Sequence, residues 1–477
     1  MSTADPFSIK ALQRDPDRLR FPVTAGGPRQ PSASPGTDGS VTEPRVRFAT
    51  FGCRVNQYET SMMRRLLARE LTDVASGSVI EAAADVVVLN ACTVTALAER
   101  KARQTARRIR REKPKTVIVL VGCLADAVSR GLTRFDDADL LAGNRWKTRI
   151  VDVVTDALSG RRGVLPDAEL GPLDAEKSLG ETGRVRAWLK VQDGCDNACT
   201  YCRPTQVRGP ARSKRIDVAV LEARRLVDSG CREVVLTGIN LARYSRGGQN
   251  LPDLIRSLLT IPGLLRLRLA SINPEGVTPE LLAAVAADRR ACAHFHVPLQ
   301  SGDDGILHRM QRGYTAAQYV ETIEAIRYRI PHATVGTDVI VGFPGEDGDA
   351  FESTCSVAER LRFSNLHVFR YSERAGTAAA TFDRKVPAKV AQDRARKLAD
   401  LGRRMRATLL DKRVSSTQDV LVEEQRDKRW RGYTQDYLPV TFSSNTAVAV
   451  GTVYGVRILG HAEGGMEGVI EHRTDAD

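Results

Sequence analysis

A chain of 477 residues exceeds one ordinary domain and is long enough for about three, and its 42% hydrophobic and 27% charged residues are a globular composition, not a disordered or fibrous one. The 71 Lys and Arg against 58 Asp and Glu leave a formal charge of +13, which suits either a polyanion-binding protein or a solvated basic surface. No window approaches the ~18 apolar residues of a membrane span, no apolar run follows the first charges as in a secretory signal, and nine cysteines, odd and sparse, exclude a disulfide scaffold and indicate reduced thiols in the cytoplasm with no membrane partner.

Residues 1–44 hold seven of the 21 prolines and clusters such as SASPGTDGS, with no apolar period, and are expected to be a disordered leader. From 45 to 157 the runs RVRFAT, ADVVVLN and KTVIVLVG alternate with the helical stretches QYETSMMRRLLARE and ALAERKARQTARRIRREK, the pattern of a Rossmann-like parallel α/β domain. The second of these helices, near 96–113, places Ala98, Ala102, Ala106 and Ile109 on one stripe and crowds arginines elsewhere, as a solvated face or an RNA contact. Residues 158–183, bearing Gly and Pro, read as a linker. Between 184 and 412 six strand-helix repeats, with strands RVRAWLKVQ, REVVLTG, LRLRLAS, HFHVPLQ, TVGTDVIVG and LHVFRYS, predict a partial (β/α)6 barrel, followed by a basic helical connector. The last segment, 413–477, has short alternating strands and predicts a small antiparallel β-barrel, so the fold class is α/β with an OB-like appendage.

The stretch DGCDNACTYC sets Cys195, Cys199 and Cys202 directly after the first barrel strand, where β/α barrels keep their chemistry. Three is the informative number. Structural zinc and electron-transfer [4Fe-4S] centres each use four protein ligands, so an iron cluster held by three leaves one iron open, whereas a zinc knuckle needs a fourth ligand from elsewhere. Cys53, Cys92 and Cys123 each end an apolar β run and lie 39 and 31 residues apart, about one strand-helix-strand step. In a parallel sheet all three emerge at the ligand-binding edge, which predicts a second cluster over three unrelated core cysteines. Cys231, Cys292 and Cys355 sit inside regular elements and are expected to be small buried hydrophobes. His294 and His296 share a strand face, but no third ligand is apparent, and packed or hydrogen-bonded histidines are expected there.

The C-x3-C-x2-C spacing resembles the radical S-adenosylmethionine (SAM) superfamily. With the words GCRVNQYE, LTGIN, PLQSG, RMQRGYT, DVIVGFPGE, LHVFRYS and GYTQDYLPV in order, residues 45–475 closely resemble the methylthiotransferase family. That resemblance implies a cluster domain, a radical SAM barrel and a C-terminal TRAM domain. It implies two [4Fe-4S] clusters: one on Cys195, Cys199 and Cys202, whose open iron binds SAM and whose electron cleaves it to a 5′-deoxyadenosyl radical, and one on Cys53, Cys92 and Cys123 that carries the transferred sulfur. A second SAM supplies the methyl group, and a sulfur donor and an electron donor, a reductase or a flavodoxin or ferredoxin, are required. Tyr201 is implied to pack near the adenine of SAM, and Thr237, Gly238, Asn240, Gln300, Ser301 and Asp338 stand where SAM contacts are expected.

The words are most similar to the branch that acts on N6-threonylcarbamoyladenosine beside the tRNA anticodon. Isopentenyladenosine in tRNA and an aspartate of a ribosomal protein are the alternatives inside the family, and a non-catalytic Fe-S RNA-binding protein the one outside it. The C-terminal barrel, with the basic and aromatic loop 431–437, is the expected tRNA holder. Departures from the family pattern at Arg203-Pro204-Thr205-Gln206, Asn273 and Arg370 leave the cysteines untouched and bear on the substrate pocket.

Overall fold

The computed structural model describes residues 44–76, 83–93, 96–169, 171–177, 184–444, 446–462 and 465–474. The expected leader up to residue 43, and 170 and 178–183 of the expected linker, lie outside the described residues. The chain forms two compact units that divide at 171/172.

In the first unit, apolar runs pair into one six-stranded sheet in the order β2-β1-β3-β4-β5-β6: Val74–Ser76, Val46–Phe51, Val86–Ala91, Val117–Val121, Leu140–Ala142 and Gly163–Val164. Every ladder is parallel. Residues of β3 are buried throughout, because helices cover both faces and leave no polar side to alternate with. The helix Ala96–Glu112 buries Ala102, Ala106 and Ile109 as the periodicity requires. Much of its basic face is already paired within the unit: Arg107 meets Asp137 at 3.1 Å, Arg110 meets Asp139 at 2.7 Å, and Arg103 and Arg108 meet Glu99 and Glu112 one turn away.

The second unit begins with six parallel strands in chain order, Arg186–Lys190, Glu233–Thr237, Arg266–Leu269, His294–His296, Thr334–Val341 and Asn365–Arg370. The first three and the last three form two ladders, joined by the parallel bridges Leu267 to Ala291 and Ser271 to His296. Among the described residues no ladder joins the sixth strand to the first, so the barrel is partial, as expected. Its outer layer includes Ile216–Asp228, Leu251–Leu258, Pro279–Ala286, Ala316–Arg329 and Gly348–Leu361, packed over one continuous core. The connector, Ala388–Asp411, lies on the sixth strand, and Leu398 and Leu401 join that core beside Leu366 and Val368.

Five strands then close into a barrel, Thr417–Arg426, Arg429–Thr434, Pro439–Ser443, Gly465–Arg473 and Val453–Ala462 in spatial order. Pro439–Ser443 pairs parallel with Gly465–Arg473, and the other ladders are antiparallel, which departs from the uniformly antiparallel barrel expected.

The small barrel is docked on the amino ends of the large one. Glu233, fully buried, meets Arg268 at 2.7 Å and Arg186 at 2.9 Å, and Arg186 reaches Glu423 of the small barrel at 2.5 Å. Tyr433 and Tyr437 stack with centroids 5.1 Å apart. Arg186 lies over both rings, and Arg268 over Tyr437 at 4.5 Å. Arg266 donates to the carbonyls of Tyr433 and Asp419, Arg268 to that of Gln435, and Thr334 to that of Asp436. His294 contacts Thr334 at 2.9 Å and the Tyr437 ring at 5.3 Å, the hydrogen-bonded histidine expected. The loop 431–437 was expected to be exposed for tRNA. Arg431 is exposed as expected, but the two tyrosines and the backbone carbonyls of the loop meet the arginines at the strand starts, because the buried guanidiniums of Arg266 and Arg268 need acceptors.

Burial pushes the Glu233 carboxyl up, but Arg268 and Arg186 hold it down to about 2. Its contribution to stability is therefore complete above the ordinary carboxylate range and is lost as pH falls toward 2. Glu233→Gln leaves two buried guanidiniums short of a counter-charge, so chemical denaturation of the intact chain at pH 7 is expected to show a loss of about 3–5 kcal/mol. That loss shrinks as the measurement is repeated at lower pH.

Candidate functional site

The cysteine loop grows out of the carboxyl end of the first barrel strand. Gly194 turns the chain there with φ of +70°, and a Cβ on it would stand 1.9 Å from the Pro210 carbonyl, so no other residue fits. Beneath the turn lies a buried ionic base. Lys190 meets Glu176 at 2.7 Å and Asp193 at 2.8 Å, and Asp193 also takes Arg208 and Arg212 at 3.0 and 3.1 Å. The loop is tied at Cys195 to the Gly209 carbonyl, at Cys202 to the Cys199 carbonyl, and at Thr200 to the carbonyls of Met310 and Arg309.

Three partly buried sulfurs result, none in a disulfide. The Asn197 amide points at Cys195 Sγ at 3.4 Å, Asn240 Nδ2 approaches the same sulfur at 3.7 Å, and Arg312 donates to Cys199 Sγ at 3.3 Å. Burial, and then the nearby Cys199, push the Cys202 thiol up to about 12, with Cys195 adding to the effect. Thiolates placed this way need a positive centre at their focus, and hydrogen-bond donors already face Cys195 and Cys199. The residues fit a three-cysteine iron-sulfur cluster.

Of the other expected cofactor residues, Tyr201 is partly buried and edge-on to Phe343, with centroids 6.3 Å apart. Thr237 and Gly238 end the second strand, and a Cβ on Gly238 would lie 2.8 Å from Gln192 Oε1. Gln192 Oε1 also accepts from the Asn240 amide, so Gly238 and Asn240 are held against the cysteine loop. Gln300 takes φ of +66°, and its amide donates to the Asp338 carbonyl. Ser301 is fully buried beside Thr354, its Oγ receiving the Asp303 amide, which is a turn-holding arrangement. Asp338 stands apart from the cysteines with two histidines, His296 Nε2 at 3.0 Å and His367 Nδ1 at 3.1 Å from Oδ1. Sequence reading saw no third ligand beside His296; the fifth and sixth strands supply Asp338 and His367, and the three side chains form a cluster of metal-binding type.

In the first unit, Cys53, Cys92 and Cys123 follow the carboxyl ends of β1, β3 and β4, three adjacent strands. A Cβ on Gly52 would fall 2.5 Å from Cys92 Cβ, which shows how closely two of the cysteine loops pass. Below them is a polar floor. Asn56 Oδ1 is 3.2 Å from Cys53 Sγ, Asn144 Nδ2 is 3.6 Å from Cys123 Sγ, and Asn90 Nδ2 donates to the Asn56 carbonyl and to Thr60. Lys147 is buried against Glu59 and donates to Asn144 Oδ1 at 2.9 Å. Three thiols at the ends of adjacent strands, with the Asn144 amide toward Cys123 and a buried ammonium behind it, also fit an iron-sulfur cluster.

Arg312, Asn144, Asn56 and Lys147 were not singled out as site residues. Arg312 and Asn56 stand inside the words RMQRGYT and GCRVNQYE and were within reach. Lys147 and Asn144 lie in a short helical turn after β5 with no local pattern to mark them. Cys231, Cys292 and Cys355 are buried as expected.

Residues 189–358 match the family described as the radical SAM superfamily, and 45–143 match Uncharacterized protein family UPF0004. Threonylcarbamoyladenosine tRNA methylthiotransferase MtaB of Chlamydia pneumoniae is 34% identical over 89% of this chain and 97% of its own. The protein of the same name from Aquifex aeolicus is 33% identical over 83% and 96%. The tRNA-2-methylthio-N(6)-dimethylallyladenosine synthase of Syntrophobacter fumaroxidans is 36% identical over 88% and 94%. The radical S-adenosylmethionine methyltransferase TsrM of Kitasatospora setae, at 14% identity, superposes over 71% of this chain and 77% of its own with a TM-score of 0.53, a likeness of fold. With the cysteine loop at a barrel strand end and relatives matched over nearly their full length, the chain belongs to the radical SAM methylthiotransferase family.

Proposed function

We propose that this enzyme places a methylthio group on C2 of N6-threonylcarbamoyladenosine in tRNA, with two three-cysteine clusters in separate roles. The observation that carries the reading is the pair of thiol triads, each at the carboxyl edge of a parallel sheet, with amide and guanidinium donors on Cys195 and Cys199 in one and the Asn144 amide toward Cys123 in the other. When bound, the cluster on Cys195, Cys199 and Cys202 supplies the electron that splits SAM, and the one on Cys53, Cys92 and Cys123 supplies the sulfur.

The protein's own contribution is placement and charge. Arg312 spans Cys199 Sγ and Asn273 Oδ1, at 3.3 and 3.2 Å, and lies over the Tyr314 ring, so its cation is fixed beside the sulfur. Asn273, a departure from the family pattern, thus acts as a positioning residue for that cation. Arg203, another, is buried and donates to the Ala375 carbonyl, tying the cysteine loop to the segment after the sixth strand. Strand alternation puts Arg370 on the face opposite Phe369, away from the barrel lumen.

The threonylcarbamoyl substrate is supported by the names of the Chlamydia and Aquifex relatives. The dimethylallyl reading has its own support in the Syntrophobacter relative. tRNA from a strain lacking the gene, analysed by nucleoside mass spectrometry, is expected to lose the 2-methylthio form of threonylcarbamoyladenosine and keep its unthiolated precursor. Loss of the isopentenyl species instead moves the substrate, and loss of neither removes tRNA from the reading.

Anaerobic reconstitution is expected to give about eight irons per chain, falling to about four in Cys53→Ala/Cys92→Ala/Cys123→Ala. That variant should still release 5′-deoxyadenosine from SAM but make no methylthio product, whereas Cys195→Ala/Cys199→Ala/Cys202→Ala does neither. Arg312→Met is expected to lower iron retention and 5′-deoxyadenosine release by roughly 10- to 100-fold, as loss of a ligand-orienting partner does.

A further inference from the structure

The lumen face of the partial barrel carries a ladder of rings that neither cluster uses. On the sixth strand, Leu366 and Val368 pack outward under the connector helix, so His367 and Phe369 face the lumen. On the fifth strand, Val339 and Val341 join the outer core and Asp338 and Ile340 face inward. The strand register sets Asp338 level with His367, and Ile340 level with Phe369. His296 and His367 rings lie 5.3 Å apart, tilted by 34°, and His367 and Phe369 meet edge-on at 6.5 Å. One step higher, Ile340, Tyr371 and Phe343 pack in one cluster with Tyr201 of the cysteine loop.

Phe369 is 42% exposed and the His367 side chain 48% exposed. Exposed aromatic rings are what unstacked bases stack on. Below them the lining is polar. Asp338 Oδ1 takes both histidines, and Asn365 fixes the far nitrogen of His367 at 2.7 Å. The two imidazoles hold Asp338 well below the usual carboxylate range, although burial opposes them.

We propose that Phe369 and His367 form the stacking platform for an adenine extruded from tRNA, and that His296, Asp338 and His367 receive its N6 substituent. This rests on the tRNA reading above and deepens it. A substituent with N–H donors matches that lining, because the ionised Asp338 accepts them while His296 and His367, each turned to Asp338 by one ring nitrogen, hold that carboxylate in place. A branched hydrocarbon in the same place strips the three polar groups of water without replacing their hydrogen bonds. The platform therefore selects a carbamoylated adenine, which brings N–H donors to Asp338, over an alkylated one. Because Phe369 is level with Ile340, a base stacked there lies one strand step from the residues packed on Tyr201.

The test measures dissociation constants of the full-length reconstituted enzyme for two anticodon stem-loops, one with threonylcarbamoyladenosine and one with isopentenyladenosine. Phe369→Ala is expected to weaken both by about tenfold or more, and Phe369→Trp, which keeps a π face, to retain both. His367→Leu is expected to weaken only the threonylcarbamoyl loop, by about tenfold, so that the preference collapses; an unfolded variant loses both loops and cannot produce that split. Unchanged binding by Phe369→Ala, or parallel loss of both loops in His367→Leu with Phe369→Trp intact, overturns the proposal. So does one equivalent of zinc in the wild-type protein that is lost in His367→Leu, since the triad is then a metal site. Failure of the wild type to methylthiolate either loop overturns the tRNA reading itself, and the platform with it.

Discussion

Parallel strands that share a sheet all run out at one edge, and each must be followed by a crossover that starts there. Both α/β units are built this way, so a residue placed just past the end of any strand meets residues placed just past the ends of its neighbours. Cys53, Cys92 and Cys123 exploit this across β1, β3 and β4, three strands that lie side by side. The cysteine loop of the second unit uses the same edge differently, with all three thiols on one segment and the neighbouring strand ends supplying Asn240 and the turn that leads to Arg312.

Such an edge gathers thiols but does not by itself make them useful, because buried sulfurs resist ionisation and repel one another. The structure answers with donors. Arg312 is the sharpest case, a guanidinium held between a cysteine, an asparagine and a tyrosine ring. In the first unit the corresponding charge is Lys147, which is paired with Glu59 and reaches Cys123 through Asn144. An asparagine there accepts from the ammonium and donates toward the sulfur, passing positive character across without placing the ion against the thiol.

At the opposite, amino edge of the barrel the first and third strands begin with arginines, which is unusual for a buried layer. Arg186, Arg266 and Arg268 are stable only because Glu233, Glu423, two stacked tyrosines and a row of carbonyls close over them. The small barrel is thereby attached through ion pairs, hydrogen bonds to backbone carbonyls and cation-π contacts. A seam of this kind is specific in orientation, since each guanidinium fork matches particular acceptors.

The alternation of apolar runs with helical stretches, read along the sequence, determined the parallel first unit, the six-strand partial barrel and the small β-barrel, because periodicity and turn chemistry are local properties. It also determined that two cysteine triads would stand at strand ends, since strand-helix-strand spacing fixes which edge a residue meets. Tertiary structure alone decided which polar side chains face those sulfurs and which cover the strand starts. The loop 431–437, basic and aromatic, reads as a surface for RNA until the strand-start arginines, some 165 to 250 residues away, are seen to need its acceptors. His296, Asp338 and His367 are separated by more than 25 residues at each step and share no motif; they meet because three adjacent strands turn the same face to the lumen, a consequence of register that no local pattern encodes.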